Sequence, residues 1–301
     1  MEKCAYVRLD PKELKKRAEQ AVAMLGECTV CAQACRVNRL HGELGICRAG
    51  RYAAVSSYGP HFGEEAPLVG KKGSGTIFFT HCNLRCEFCQ NCEISQEGKG
   101  GEISPGELAG LMLHLQRMGC HNINLVSPSH FVPQFLEALV LAAARGLKIP
   151  VVYNTGGYDS VKTLALLDGV VDIYMPDIKF GDDDTARKYT GAAGYFTVVR
   201  GVIKEMHRQV GDLIIDGTGL AVRGLLVRHL ILPGNLAGTE KVLEFLSREI
   251  SPDTFINLMD QYYPAFQAFK YEELNRRLTP GEFREALKSA IKAGFSRIYT
   301  G

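Results

Sequence analysis

Cysteine is the residue type in this sequence with the clearest chemical meaning. Ten cysteines occur among 301 residues, and eight fall into two groups, within residues 28–47 and 82–92. The other two, Cys4 and Cys120, have no partner pattern. In a reducing compartment, clustered thiols bind metal or do chemistry more often than they form disulfides. The sequence therefore predicts a metalloprotein.

The second group has the spacing C-x3-C-x2-C, formed by Cys82, Cys86 and Cys89. Three thiolates from one short loop can each ligate one iron of a [4Fe–4S] cluster, which leaves the fourth iron open to a chelating cosubstrate. Zinc fits less well, because structural sites use four closed ligands and catalytic sites usually include histidine or a carboxylate. Cys92 continues the spacing. We interpret it as lying beyond ligand reach, since a fourth thiolate would close the open iron.

The first group supplies four thiolates from an irregular, glycine-bearing segment: Cys28, Cys31, Cys35 and Cys47. Four soft ligands suit either tetrahedral zinc or a closed iron–sulfur cluster, and the sequence leaves both open. A bound metal would also explain how such a segment folds without much core.

The elements that must position these groups alternate between short apolar runs and helical patterns. Strands are predicted at residues 76–80, 122–126, 150–154, 171–175, 225–232 and 254–259. Alternating βα units imply an α/β fold with a parallel sheet. Six such units favour a partial (β/α)6 barrel. The pattern does not exclude the alternative, an open doubly wound sheet. Functional residues are expected just after the strands. We divide the chain into an N-terminal helix and Cys-rich metal-binding extension, residues 1–70, and a barrel with C-terminal helices, residues 71–301.

The loop that carries Cys82, Cys86 and Cys89 resembles that of radical S-adenosylmethionine (SAM) enzymes. Five further segments resemble pyruvate formate-lyase activating enzymes and most closely their PflX-type relatives: VNRLHGELGIC (37–47), NLVSPSH (124–130), MPDIKF (175–180), VRHLILPG (227–234) and NLMDQYYP (257–264). The resemblance implies a partial barrel of the radical SAM type. It also implies that SAM chelates the open iron and is reductively cleaved to a 5′-deoxyadenosyl radical, which abstracts hydrogen from a substrate.

The resemblance also assigns residues to SAM. Asp177 and Lys179 match an Asp-x-Lys pair near SAM, and Arg228 matches an arginine that faces the SAM carboxylate. Asn154 and Thr155 match an Asp-Thr pair near the ribose and a cation site, although the acid of that pair is an amide here.

One segment departs from the family pattern. Many of these enzymes place Gly-Gly-Glu after the second strand to receive the SAM amino group, whereas this chain has Ser127, Pro128, Ser129 and His130. The serine hydroxyls can accept a hydrogen bond from an amine. For His130 two interpretations remain, a contact with SAM or substrate and a structural loop residue. No residue is assigned a catalytic role.

These observations predict an oxidoreductase of the radical SAM type with an unidentified substrate, a glycyl radical enzyme being one candidate. Its cofactors would be a [4Fe–4S] cluster, SAM, and zinc or a second iron–sulfur cluster. A low-potential donor such as flavodoxin or ferredoxin would supply the electron. The alternative is a non-catalytic iron–sulfur or zinc protein that acts as an electron carrier or assembly partner. That alternative has no need for an ionic SAM site at Asp177, Lys179 and Arg228.

Composition constrains the partners further. Lys and Arg total 35 against 33 for Asp and Glu, a net charge of +2, which gives no electrostatic reason to expect nucleic acid or an anionic membrane as a partner. No stretch approaches the roughly 18–20 apolar residues of a membrane helix. The N-terminus lacks the apolar core of a signal peptide, so a cytoplasmic location is expected.

Overall fold

The computed structural model describes residues 4–300 of the chain. Its strands are β1 (Ala53–His61), β2 (Ser74–Phe79), β3 (Gly101–Ile103), β4 (Ile123–Val126), β5 (Val151–Thr155), β6 (Ile173–Pro176), β7 (Ile214–Ile215), β8 (Ala221–Leu230), β9 (Phe255–Met259) and β10 (Ile298–Tyr299). Its α-helices are α1 (Pro11–Ala23), α2 (Ala66–Val69), α3 (Cys92–Ser95), α4 (Pro105–Arg117), α5 (Val132–Ala144), α6 (Val161–Ala165), α7 (Asp183–Thr190), α8 (Tyr195–Val210), α9 (Thr239–Glu249) and α10 (Pro280–Lys292).

Strand order decides between the two predicted architectures. Within the described residues the strands form one ten-stranded sheet in the order β10-β9-β8-β6-β5-β4-β2-β1-β3, with β7 paired to β8. Apart from β3 and β7, which pair antiparallel elsewhere, the strands from β2 to β10 follow the order of the chain as parallel neighbours. A doubly wound sheet reverses its order at a switch point, whereas a sheet wound in one direction places its helices on one face. The predicted partial barrel is therefore confirmed.

The six strands predicted from sequence are all present, and side-chain caps begin two of the helices, α1 and α4. The Asp10 side chain accepts a hydrogen bond from the Lys12 N–H before α1. Ser104 and Glu107 form the reciprocal capping box of α4. The sequence analysis did not predict β1, whose glycine and proline weaken the strand pattern, or α8, which contains a β-branched run and Gly201.

Strand β1 connects the N-terminal part of the chain to the barrel. It lies before residue 71, and it pairs antiparallel with both β2 and β3. The sheet therefore extends across the boundary predicted at residue 70.

Two apolar layers pack on the two faces of the sheet. The larger one lies between the sheet and the helices, where α1 and α4 both pack on α5. The smaller one lies on the inner face of the barrel, where Leu68 of α2 packs with Val152, Ile173, Met175 and Leu226. Helix α2 therefore packs against the inner face of the sheet.

Among residues 4–300, no helix combines the length and apolarity that a bilayer crossing requires.

Candidate active site

The loop that follows β2 carries Cys82, Cys86 and Cys89 at the carboxyl edge of the parallel strands. Tertiary hydrogen bonds hold this loop in place. The backbone N–H groups of Arg85 and Glu87 donate to carbonyls at the end of α7, at 2.9 and 2.8 Å. The three thiols are therefore presented by a braced segment of chain.

The electrostatics of this loop suit an anionic group. Burial raises the pKa of Cys82 to about 11 and that of Cys86 well above its ordinary value, and the neighbouring thiols, including Cys89, raise both further. The positive charge of Lys179 opposes the rise at Cys82 and Cys86. Three thiols from one loop, with a cation beside them, form the donor set of an iron–sulfur cluster held by three cysteines.

Cys92 takes a different place in the structure. It begins the short helix α3, and its carbonyl accepts hydrogen bonds from the N–H groups of Gln96 and Glu97 at 2.8 and 3.0 Å. The thiols whose charges act on Cys86 are those of Cys82 and Cys89. That Cys92 lies beyond ligand reach stays a prediction.

A buried ionic cluster lies at the same edge of the sheet. Lys179 Nζ donates to Asp177 Oδ2 at 2.7 Å, and Arg228 Nε donates to Asp177 Oδ1 at 2.8 Å. Arg228 Nη2 donates to Asn154 Oδ1 at 2.8 Å. The side chains of Asp177, Lys179 and Arg228 retain 14%, 21% and 18% of their exposure. The structure thus brings four of the predicted SAM-binding residues together, with their outer surfaces still accessible.

The charges of this cluster are fixed at neutral pH. Burial on its own would raise the pKa of Asp177, but Arg228 and Lys179 hold it down at about 2. Burial would likewise lower the pKa values of Lys179 and Arg228, but the Asp177 carboxylate raises both above their ordinary values. Asp177 therefore pairs with both cations at short range, and Lys179 keeps two N–H groups that a further ligand can use.

The segment that replaces Gly-Gly-Glu has one accessible hydroxyl. Ser127 follows β4 with φ +59°, in the left-handed region that is uncommon for residues with a side chain, and its N–H donates to the Asn154 carbonyl at 2.8 Å. Ser127 is half-buried, whereas Ser129 is only 2% exposed and its Oγ lies 2.8 Å from Thr155 Oγ1. Of the two serines, Ser127 is the one that remains accessible to a ligand.

His130 is buried and neutral. Its Nε2 lies 3.0 Å from the Thr80 carbonyl, and because a carbonyl only accepts, Nε2 carries the proton. Burial lowers the pKa of His130 to about 3, and its Nδ1 has no hydrogen-bond partner. Its own carbonyl accepts from Arg39 Nη1 at 2.8 Å. These contacts support the structural interpretation of His130 and leave Nδ1 as an unused acceptor.

Strand β5 directs its predicted site residues to opposite faces. Asn154 joins the ionic cluster, whereas Thr155 Oγ1 donates to Asp159 Oδ2 at 2.6 Å. Since the single hydroxyl proton of Thr155 is used there, Ser129 donates to Thr155. The Tyr153 hydroxyl donates to Asp159 Oδ1 at 2.7 Å. Thr155 and Ser129 therefore brace the loops behind the sheet edge.

The four N-terminal cysteines are mutual neighbours. Burial raises the pKa of Cys31 to about 12, with Cys47 and Cys28 adding to the rise, and Cys28 and Cys35 act in the same way on Cys47. The charge of Cys47 also raises the pKa of Cys82, so the two cysteine groups lie side by side.

The donor set of the N-terminal group is composed of thiols, the ligands that zinc and iron–sulfur clusters share. Within residues 4–300, no group of three or more His, Cys, Asp or Glu side chains is arranged to hold a metal ion. Cysteines that ligate different irons of one cluster stand further apart than ligands of a single ion. The four thiols therefore match zinc or an iron–sulfur cluster in ligand type.

The sequence analysis missed four polar residues in the barrel interior: Glu64, Glu65, Asn124 and Asn257. Glu64 Oε2 lies 3.6 Å from Arg228 Nη1, and Glu65 Oε1 accepts from Asn257 Nδ2 at 2.8 Å. A signal existed, since each asparagine interrupts an otherwise apolar strand and two adjacent acids precede α2.

A cavity of about 440 Å³ lies at the opposite, amino-terminal edge of the strands. Its lining includes Asn122, Pro150, Asp172 and Ala221. In parallel barrels the active site lies at the carboxyl ends of the strands, so this cavity is not part of the candidate site.

Comparisons with known proteins agree with this geometry. A family model described as the radical SAM superfamily matches residues 76–221. The uncharacterized protein MJ0674 of Methanocaldococcus jannaschii is 34% identical over 302 residues, covering 98% of this chain and 82% of that protein. The pyruvate formate-lyase-activating enzyme of Clostridium pasteurianum is 26% identical over 223 residues, covering 71% of this chain and 86% of that protein.

Solved structures share the fold at low sequence identity. A radical SAM methyltransferase from Sphaerobacter thermophilus superposes with a TM-score of 0.51 at 15% identity, over 76% of this chain and 66% of that one. Streptococcus suis SuiB bound to precursor peptide SuiA superposes with a TM-score of 0.51 at 11% identity, over 74% of this chain and 47% of that one. The chain thus spans about two thirds of the first protein and about half of the second.

Proposed function

The chain belongs to the radical SAM superfamily, and from this premise we propose that Cys82, Cys86 and Cys89 hold the [4Fe–4S] cluster at which SAM is cleaved. Cluster and SAM together supply the chemistry, one-electron cleavage of the sulfonium to a 5′-deoxyadenosyl radical that takes a hydrogen atom from the substrate. The single observation that carries this proposal is the position of Lys179. Its charge acts on the thiols of Cys82 and Cys86 while its ammonium is bonded to Asp177.

The ionic cluster would bind the carboxylate of SAM. Lys179 uses one N–H for Asp177 and keeps two for a ligand. Arg228 donates from Nε and Nη2 to Asp177 and Asn154. Its Nη1 has a longer contact, 3.6 Å to Glu64, and is the nitrogen that would reach a ligand. Asp177 orients both cations, so the chain itself does not need to reorganise when an anion arrives.

The amino group of SAM would meet the segment after β4. Ser127 is the accessible acceptor there, in a backbone conformation that the Asn154 carbonyl helps to fix. Ser129, His130 and Thr155 would support this segment from behind through their buried hydrogen bonds. Asn154 would act through Arg228, whose guanidinium it holds in place.

The N-terminal cysteines would hold a second metal, either zinc or an iron–sulfur cluster. Because Cys47 lies near Cys82, an iron–sulfur cluster there would be placed to pass electrons to the first site, whereas zinc would only brace the segment. A donor of the flavodoxin or ferredoxin type would supply the electron in either case.

The similarity to pyruvate formate-lyase-activating enzyme of Clostridium pasteurianum supports a glycyl radical protein as one candidate substrate. Incubation of the reduced enzyme and SAM with a glycyl radical protein would then produce the doublet EPR signal of a glycyl radical. An absent signal, with SAM cleavage retained, would direct the search to other substrates.

The central test is anaerobic reconstitution with iron and sulfide, followed by dithionite, SAM and chromatographic detection of 5′-deoxyadenosine. We expect 5′-deoxyadenosine with about eight irons per chain if both sites hold [4Fe–4S], or with about four irons and one zinc otherwise. A cluster without 5′-deoxyadenosine would contradict the proposed function and favour an electron carrier.

A further inference from the structure

The segment between β1 and β2 forms the floor of the barrel interior. Its helix α2 places Leu68 in the inner apolar layer, and the Leu68 carbonyl accepts from Asn122 Nδ2 at 2.9 Å. Glu64 and Glu65 immediately precede this helix. The two acids therefore lie next to the inner apolar layer, and Glu64 is 3.6 Å from Arg228 of the ionic cluster.

The strands around these acids direct polar side chains to the same space. Arg228 of β8 pairs in register with Asn257 of β9, and Glu65 Oε1 accepts from Asn257 at 2.8 Å. Burial raises the pKa of Glu64, and Arg228 and the side chain of Asn124 on β4 oppose this rise, so Asn124 lies beside that carboxyl. Glu64, Glu65, Asn124 and Asn257 thus line one region on the inner face of the barrel.

Several atoms in this region lack partners. Of the ten buried side-chain nitrogen and oxygen atoms without a hydrogen-bond partner among the described residues, four belong to Glu65, Asn124 and Asn257. They are Glu65 Oε2, Asn257 Oδ1 and both amide atoms of Asn124. These three residues are 3%, 0% and 7% exposed. A buried polar atom without a partner is costly, so such a concentration indicates a ligand with hydrogen-bonding groups.

Charge and atom type identify that ligand further. Three of the four unpartnered atoms are amide or carboxylate oxygens, which accept hydrogen bonds. Asp177 pairs with both cations, Lys179 and Arg228, at short range. Glu64 lies 3.6 Å from Arg228, and the charge of Glu65 also acts on Arg228, so three carboxylates share two cations. An excess of acid and of acceptors favours a cationic hydrogen-bond donor.

We propose that Glu65, together with Glu64, Asn124 and Asn257, binds a protonated amine or guanidinium group of the substrate. This inference rests on the proposed function, because the site adjoins Arg228 of the ionic cluster, which lies 3.6 Å from Glu64 and pairs in register with Asn257. An ammonium or guanidinium presents several N–H donors to the unpartnered oxygens, and its charge balances the excess carboxylate. The site thereby selects an organic cation as the substrate class.

The test uses two probes, n-butylammonium and methylguanidinium chloride, and the thermal unfolding midpoint of the anaerobically reconstituted protein. A ligand that binds only the folded state raises this midpoint. We expect both probes to raise it above equal concentrations of KCl, MgCl₂ or n-butanol. An equal effect of K⁺ or Mg²⁺ would make this an inorganic cation site and overturn the proposal, and an equal effect of n-butanol would show apolar binding only.

Glu65→Gln keeps the size of the side chain and removes its charge. We expect it to weaken the apparent affinity for both probes at least tenfold, while Glu285→Gln, at an exposed acid of α10, behaves as the wild type. Unchanged probe binding by Glu65→Gln would overturn the proposal.

Asn124→Leu is a second variant that tests the proposal even if Glu65→Gln does not fold. It replaces two unpartnered polar atoms by an apolar side chain of similar size, so we expect the unliganded protein to unfold at the same or a higher temperature and yet to lose its response to the probes. A purely structural Asn124 would instead lower the unfolding temperature and leave the response unchanged. The wild-type 5′-deoxyadenosine assay tests the proposed function separately, since it requires neither probe nor variant.

Discussion

Gln33 donates from Nε2 to the backbone carbonyl of Asn83 at 2.7 Å, which ties the N-terminal cysteine segment to the loop after β2. Asn83 in turn donates from Nδ2 to the Tyr158 carbonyl at 2.7 Å, and its side chain contacts Cys31. One residue next to Cys82 thus contacts both cysteine groups. Substitutions among the four N-terminal cysteines should therefore affect the geometry of the loop after β2, which carries Cys82, Cys86 and Cys89.

The two assignments within residues 82–92 can be separated by substitution. Cys86→Ala removes one of three proposed ligands and is expected to lose both the cluster absorbance and SAM cleavage. Cys92→Ala is expected to keep both, because Cys92 begins α3 while Cys86 lies among the other thiols. Iron content and 5′-deoxyadenosine are measured on the same samples. Loss of the cluster in Cys92→Ala would make Cys92 a ligand and close the iron that SAM needs.

Lys179 provides a test of the SAM site that leaves the thiols intact. We expect Lys179→Met to weaken SAM binding roughly tenfold to a hundredfold, since a charge-assisted hydrogen bond contributes about 1.5–3 kcal/mol. Titration of SAM into the reconstituted protein, followed by the cluster's EPR spectrum, measures this change. Lys188→Met is the matched control, because Lys188 pairs with Glu273 on the exposed surface. Equal weakening in both variants would argue against a specific carboxylate contact by Lys179.

Gly45 tests the N-terminal metal. A Cβ at Gly45 would collide with the Sγ and approach the Cβ of Cys35, so Gly45→Ala should displace that thiol. We expect loss of the metal of this site, seen as missing zinc or as about four irons instead of eight, together with a lower thermal midpoint. Gly217→Ala is the control, since its Cβ would have no neighbour within 4 Å. Full metal content in Gly45→Ala would mean that Cys35 is not a ligand.

His229 predicts a pH dependence of stability. Its Nδ1 lies 2.6 Å from the Ile178 carbonyl and its Nε2 lies 3.0 Å from Thr239 Oγ1, so Nδ1 carries the proton and Nε2 accepts from the hydroxyl. Burial lowers the pKa of His229 from 6.5 to about 4. Between these values the unfolded chain binds the proton and the folded chain does not, so the free energy of unfolding falls as the pH drops from about 6.5 to about 4.

The variant His229→Gln should remove a slope of up to about 1.4 kcal/mol per pH unit in this window. Urea unfolding followed by circular dichroism at several pH values from about 4.5 to 7 measures it. His41→Gln, at an exposed histidine, is expected to keep the wild-type slope. A slope unchanged in His229→Gln would show that other groups account for the acid sensitivity.

The sequence by itself determined the elements and the chemistry available to them. The spacing of Cys82, Cys86 and Cys89 predicted a three-ligand loop, and the apolar strands predicted a barrel, because local spacing and periodicity are encoded within short segments. The resemblance to radical SAM enzymes assigned Asp177, Lys179 and Arg228 to the same ligand, SAM. In the structure these three residues form one ionic cluster.

Tertiary structure decided which faces and neighbours these residues have. Thr155 points away from Asn154 because side chains alternate along a strand, and its buried bond to Asp159 has no signature in the sequence. Glu64 and Glu65 meet Asn124 and Asn257 only because helix α2 enters the barrel between strands that are distant in sequence. Such contacts depend on strand order and on the path of a connecting segment. The local pattern of residues predicts neither of these.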